Sequence, residues 1–175
     1  QGAINVLDEL IRDQPSVMQA RLDRASLALA LGKNDIAKSD IDTVLKGTPG
    51  NVQAIYLRAV MAAQNRDFKA ADADLERIAA FIPRIQSAHY LQGVVKEQLG
   101  QFEQAEDAAR KYLSRNPNDL AAYKVLARIQ FAKRRPDLVI ESLTKVAETG
   151  KADAEAYDLL GRAYAAVNRP TDALK

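Results

Sequence analysis

The chain of 175 residues has no cysteine, no tryptophan and a single histidine, His89. Without thiols there are no disulfides, no thiolate zinc sites and no cysteine nucleophiles, and the redox compartment stays open. One imidazole has no second imidazole to share a metal or a proton relay, so a metal would need carboxylates. A phosphate loop is missing too: GKNDIAKSD (32–40) lacks the second glycine and the lysine-serine ending. No apolar run approaches the ~20 residues that span a bilayer. QGAINVLDEL has neither the basic start nor the apolar core of a targeting segment. Net charge is only +2, from 25 basic and 23 acidic residues, so no basic stripe points to nucleic acid. What remains is 47% hydrophobic and 27% charged, which excludes a disordered tail and suffices for a sizeable core.

What the chain does have is a repeat. Pro15, Pro49, Pro83 and Pro117 are spaced by 34 residues, and so are Pro136 and Pro170. Small residues keep the same beat: Ala3, Ala37, Ala71, Ala105 and Ala173, with Val139 as the exception, and Ala25, Ala59, Gly93, Ala127 and Gly161. A fixed period of this length is the signature of stacked repeats. Within each period the apolar spacing is helical, as in Tyr90, Leu91, Val94, Val95 and Leu99, then Phe102, Ala105, Ala109, Tyr112 and Leu113. Gly32 and Gly100 suit the left-handed residue that ends a helix. The first proline series closes each repeat, whereas Pro136 and Pro170 suit the first turn of a helix. The pattern predicts helices at about 1–13, 18–31, 34–47, 52–65, 68–81, 86–99, 102–115, 120–133, 136–148 and 154–167, and one starting near 170. Ala25 with Ala37, Ala59 with Ala71, and Gly93 with Ala105 are expected to face each other inside helical hairpins.

Chemistry is sparse. His89 occupies a position expected to pack between helices. Asp72, Asp74 and Glu76, and Glu103, Glu106 and Asp107, lie near the starts of second helices and read as solvated faces that complement the helix dipole. Lys133, Arg134 and Arg135 read as a solvated turn, with an acidic partner or lipid headgroup as the alternative. No residue supports an enzyme, a metal site or a cofactor.

A 34-residue helix–turn–helix unit with these small positions and a closing proline resembles the tetratricopeptide repeat. The resemblance implies an all-α, right-handed superhelical solenoid of antiparallel helix pairs in one array over 1–175. It divides into a second helix (1–17), full repeats at 18–51, 52–85, 86–119 and 120–153, and a partial repeat (154–175), as a piece of a longer solenoid. Arg21, Ile55 and His89 replace the expected early aromatic, and Arg24, Arg58 and Gln92 the expected leucine. Val44, Ile78, Tyr112 and Val146 stand where alanine is usual.

The runs AHYLQGVVKEQLGQFEQAEDAARKYLSRNPNDLAAYKVLARI and AYDLLGRAYAAVNRP are similar to the repeat lipoproteins of bacterial exosortase (PEP-CTERM) systems. That likeness implies the periplasmic side of the envelope, with cytoplasmic location the alternative, and a membrane link only through a lipid anchor outside this chain.

By the family's register, first helices line a concave groove. Its row would be Gln19, Leu22 and Ser26; Gln53, Tyr56, Val60 and Gln64; Ser87, Tyr90, Val94, Glu97 and Gln98; Lys124, Arg128 and Phe131; and Glu155, Asp158 and Arg162. Tyrosines offer contact area at low entropy cost, and Arg128 and Arg162 suit a two-pronged grip on a carboxylate. Equally, Tyr56 and Tyr90 would serve as packing between helices. The asparagines of the two-carboxylate clamp are missing, so binding to chaperone C-termini is not expected. The function implied is a non-enzymatic scaffold that takes a protein or peptide in its groove. Its setting would be an envelope assembly for polysaccharide export or protein sorting. The alternatives are direct binding of a polysaccharide or its precursor, and an adaptor for an enzymatic domain outside this chain.

Overall fold

The computed structural model describes residues 2–167, and every regular element among them is helical. The chain forms two compact units, Gln1–Arg84 and Ile85–Lys175. The first holds α1 (Gly2–Asp13), α2 (Met18–Ala30), α3 (Asn34–Gly47), α4 (Val52–Gln64), α5 (Phe68–Arg77) and a 3-10 segment (Ala79–Arg84). The second holds α6 (Ala88–Gln98), α7 (Phe102–Arg115), α8 (Leu120–Ala132), α9 (Pro136–Glu148) and α10 (Ala154–Ala166). Within each unit successive helices pack as antiparallel neighbours. The first helices of consecutive repeats also touch, α2 on α4 in one unit, and α6 on α8 and α8 on α10 in the other. Helices of this length are marginal alone, so packing supplies their stability.

The small-residue series sits where close approach is needed. Ala25, Ala37, Ala59, Ala71, Ala105 and Ala127 are fully buried. A Cβ placed on Gly93 would meet the Ala109 nitrogen at 3.4 Å and the Ala105 oxygen at 3.6 Å. Gly93 therefore rests on α7 over two residues, and the site has room for one methyl group. Among the described residues no atom lies within 4 Å of a Cβ on Gly161. Ala173, like Pro170 and the helix expected to start near it, lies outside the described residues.

The turn inside each hairpin repeats in detail. Gly32 and Gly100 have φ of +69° and +74°. Arg66 and Arg134, in the same register, take φ of 62° and 58° although neither is glycine. Each turn closes with paired backbone bonds: Lys33 to Ala28, Asp67 to Ala62, Gln101 to Lys96 and Arg135 to Gln130, at 2.8–2.9 Å. With the bond from the left-handed residue to the carbonyl three residues back, at 2.9–3.2 Å, this is the Schellman closure. The backbone demands that conformation whichever residue is present.

Pro15, Pro49 and Pro117 lie in the turns between repeats. Pro83 does not simply close a helix. The predicted helix 68–81 stops at Arg77, and Pro83 falls inside the 3-10 segment. Ile82 stands in register with Thr48 and Asn116 and is only 3% exposed, so the chain tightens to bury it. The next helix also begins late, at Ala88. Asn51, Asp119 and Asp153 cap α4, α8 and α10 by accepting from the nitrogens of Ala54, Ala122 and Ala156. The equivalent position before α6 is Ile85, whose side chain has no oxygen to offer.

Candidate partner-binding face

In the first unit, α2 and α4 carry the polar row. Gln19, Ser26, Gln53 and Gln64 are exposed, and Gln19 donates to Asp23 at 2.8 Å. Tyr56 and Val60 are half-buried against the core. Leu22 is only 3% exposed and belongs to that core, so the row is broken there.

In the second unit, α6, α8 and α10 lie side by side and their outward residues form a charge ladder. Arg128 sits at its centre. Its Nε and Nη2 grip Glu97 on α6 at 2.8 and 3.2 Å, and its Nη1 reaches Glu155 on α10 at 3.0 Å. Lys124 donates to Asp153 at 2.8 Å and pairs with Glu155 at 2.7 Å. The two-pronged grip expected for a ligand carboxylate is thus made on Glu97 within the chain. Arg162 is held more loosely, 3.6 Å from Asp158, with its guanidinium 5.3 Å from the centre of the Phe131 ring.

The electrostatics follow from this pairing. The hydrogen bond to Glu97 raises the Arg128 pKa, and that to Asp153 raises the Lys124 pKa. Hydrogen bonds from Lys124 hold the Asp153 and Glu155 carboxyls below their ordinary values. Lys124, Arg128, Asp153 and Glu155 therefore stay charged around neutrality, and the ladder is a fixed feature of the face.

The aromatic residues are shared between core and surface. Tyr90 is half-buried, with its ring centre 5.3 Å from that of Tyr112 at a 50° tilt, and burial raises its pKa. Val94 is half-buried beside it, Phe131 is half-buried against the cluster of α8, α9 and α10, and Gln98 and Ser87 are exposed.

Asp153 escaped the sequence reading because it looks like a helix cap. It lies 29 residues from Lys124, five short of one repeat, so register alone did not pair the two. The acidic clusters were only partly solvated. Asp74 is 6% exposed and accepts from Arg58 at 2.7 and 2.6 Å. Glu106 is 8% exposed and bound by Arg110 and Lys133. Burial pushes the Glu106 pKa up, but the bonds from Lys133 and Arg110 outweigh it and hold the group below its ordinary value. Lys133, expected in a solvated turn, has a side chain only 11% exposed, whereas Arg134 and Arg135 are exposed.

Residues 22–87 and 86–129 match two family models, both described as tetratricopeptide repeat. No curated protein matches the chain closely enough to count as a relative. Among solved structures, the chain resembles YrrB, described as a TPR protein with an unusual peptide-binding site. That match has 18% identity and a TM-score of 0.78 over 96% of this chain and 87% of YrrB. It also resembles MamA from Desulfovibrio magneticus RS-1, at 23% identity and a TM-score of 0.70 over 86% of this chain and 85% of that one. A tetratricopeptide repeat protein from Parabacteroides merdae matches over 97% of this chain and 66% of its own, at 20% identity and a TM-score of 0.68. At these identities the structures speak for the fold. Together with the family models across residues 22–129, they show that this chain belongs to the tetratricopeptide repeat family.

Proposed function

We propose that the protein is an interaction scaffold whose second unit takes an extended or helical peptide segment across α6, α8 and α10. The observation that carries this reading is the arrangement of that face. Half-buried Tyr90, Val94 and Phe131 give apolar purchase, while a rigid ion-pair ladder crosses between them. Aromatic anchors bordered by satisfied polar groups are the usual make-up of an interface core and rim. The peptide-binding site named for the structurally similar YrrB supports the reading.

The ladder narrows what the segment offers. Lys124 and Arg128 already hold carboxylates of the chain, so a ligand carboxylate would have to displace them. Among the described residues of this face, Arg162, 63% exposed and loosely paired, is the cation open to an incoming acid. The test is a peptide selected from a random library against the purified protein. Its affinity should fall about tenfold on Arg162→Glu, the loss of one charged hydrogen bond. It should be unchanged by Lys69→Glu, an exposed change on α5. Equal affinities for all three proteins would refute the face as the site.

The finer setting, an envelope assembly for polysaccharide export or protein sorting, rests on the wording of the repeats in the second unit. Cell fractionation with an antibody tests it. Recovery with the envelope supports the reading, and recovery in the cytosol removes it.

A further inference from the structure

A different face of α8 from the one bearing Arg128 closes the floor of a cleft. With α7 and α9 it bounds a cavity of about 270 Å³. Leu113, Leu126, Leu138 and Tyr123 supply apolar walls, and Arg110 and Lys145 stand at its edge. A second lobe of about 220 Å³ shares Tyr123 and Lys145 and adds Lys151.

The buried residue in this cleft is Gln130, only 2% exposed. Its Oε1 accepts from the Ser142 hydroxyl at 3.2 Å. That hydroxyl has one proton and also lies 2.8 Å from the Leu138 carbonyl, so the bond to Gln130 is the weaker of the two. The Gln130 NH₂ has no hydrogen-bond acceptor among the described residues. The NH₂ group reaches the cleft, where an acceptor from outside the chain can take it in place of water.

Charge points the same way. Arg110, Lys145 and Lys151 line the two lobes against one acid, Glu141. Lys145 and Glu141 are 3.2 Å apart but 68% and 65% exposed, so their bond is weak and easily exchanged. Arg110 stays on Glu106. The volume is near the lower limit of small-molecule pockets.

We propose that this cleft is a second binding site, for a small amphiphilic carboxylate with a branched apolar group, the chemistry of an N-acylated hydrophobic amino acid. The apolar group rests on Leu113, Leu126 and Leu138, a carbonyl oxygen accepts from the Gln130 amide, and the carboxylate replaces Glu141 at Lys145.

The probe is N-acetyl-leucine, titrated into the ¹⁵N-labelled protein. The proposal predicts saturable shifts in the Gln130 side-chain NH₂ and in amides of α7, α8 and α9. N-acetyl-leucinamide should bind about threefold more weakly, and so should the acid to Lys145→Glu, because each removes one charged contact at an exposed lysine. Gln130→Leu, which keeps the residue buried without the amide, should fold and lose the same factor. No saturable shift would mean a cleft that holds water only, and would overturn the proposal. So would equal binding of acid and amide, or shifts confined to Tyr90, Val94 and Arg162.

Discussion

At the scale of single residues, the decisive groups in the first unit are buried ions. Asp40 is fully buried and held by Arg24 through two bonds of 2.7 Å, while Arg24 also reaches Asp8 at 2.6 Å. The hydrogen bond to Asp40 is the largest cause of a raised Arg24 pKa. Arg58 and Asp74 repeat the pair one period later, with the Arg58 pKa raised by the bond to Asp74. Removing one member of a buried pair strands the other charge, so Asp40→Ala should cost about 3–5 kcal/mol in urea unfolding. Replacing both, Arg24→Leu with Asp40→Ala, should cost less than Asp40→Ala alone. A double variant weaker than the single one would contradict this reading of the pair.

His89 allows a prediction on pH. Burial lowers its pKa from the ordinary 6.5, against a hydrogen bond with Gln92 and with help from Lys111 and Arg115, and its Nδ1 is buried without a partner. The unfolded state therefore binds the proton more readily, and stability rises with pH. The contribution is complete above pH 6.5 and declines as pH falls below it toward the folded value. The melting temperature should fall between pH 7 and pH 5.5, and His89→Gln should flatten that slope.

At the scale of the element, the hairpin turn is the unit under strain. Arg66 and Arg134 sit in the left-handed region, which costs a residue with a side chain roughly 1–2 kcal/mol. Arg66→Gly and Arg134→Gly should each raise stability by about 0.5–1 kcal/mol, after the extra entropy of glycine in the unfolded chain is subtracted. Gly93 predicts the reverse trend. A methyl group there meets neighbours at ordinary contact distance, so Gly93→Ala should stabilise α6 by about 0.5–1 kcal/mol. Ala71→Leu, at a fully buried position, should overpack and cost ~1–3 kcal/mol. Thermal melts read all four.

Helix spans, turns and small-residue positions were legible in the sequence because each depends on local chemistry repeated at 34 residues. The failures have equally local causes: Ile85 gives α6 no cap, and Ile82 draws its segment into a 3-10 turn. The ion pairs were less legible. Arg24, Arg58, Asp40 and Asp74 look like surface charge until two helices fold together, although their shared separation of 16 residues, repeated one period on, is a visible mark. On the candidate face, Tyr90, Phe131 and Arg128 could be placed from register alone. That Arg128 spends its grip on Glu97 required three-dimensional geometry.

At the scale of the whole molecule, two units of paired helices expose first-helix faces of different character. In the first, the exposed glutamines Gln19, Gln53 and Gln64 stand on α2 and α4, and half-buried Tyr56 on α4. In the second, the ladder from Glu97 through Arg128 to Glu155 locks three helices together. Fixed partial order of this kind lowers the entropy cost of binding. The central claim is that a peptide segment binds on α6, α8 and α10. The most direct measurement is amide chemical-shift mapping of the ¹⁵N-labelled chain with the library-selected peptide. The account predicts saturable shifts at Tyr90, Val94, Gln98, Phe131 and Arg162, with α7 and α9 unchanged. Shifts confined to α7 and α9, or to the first unit, would contradict it.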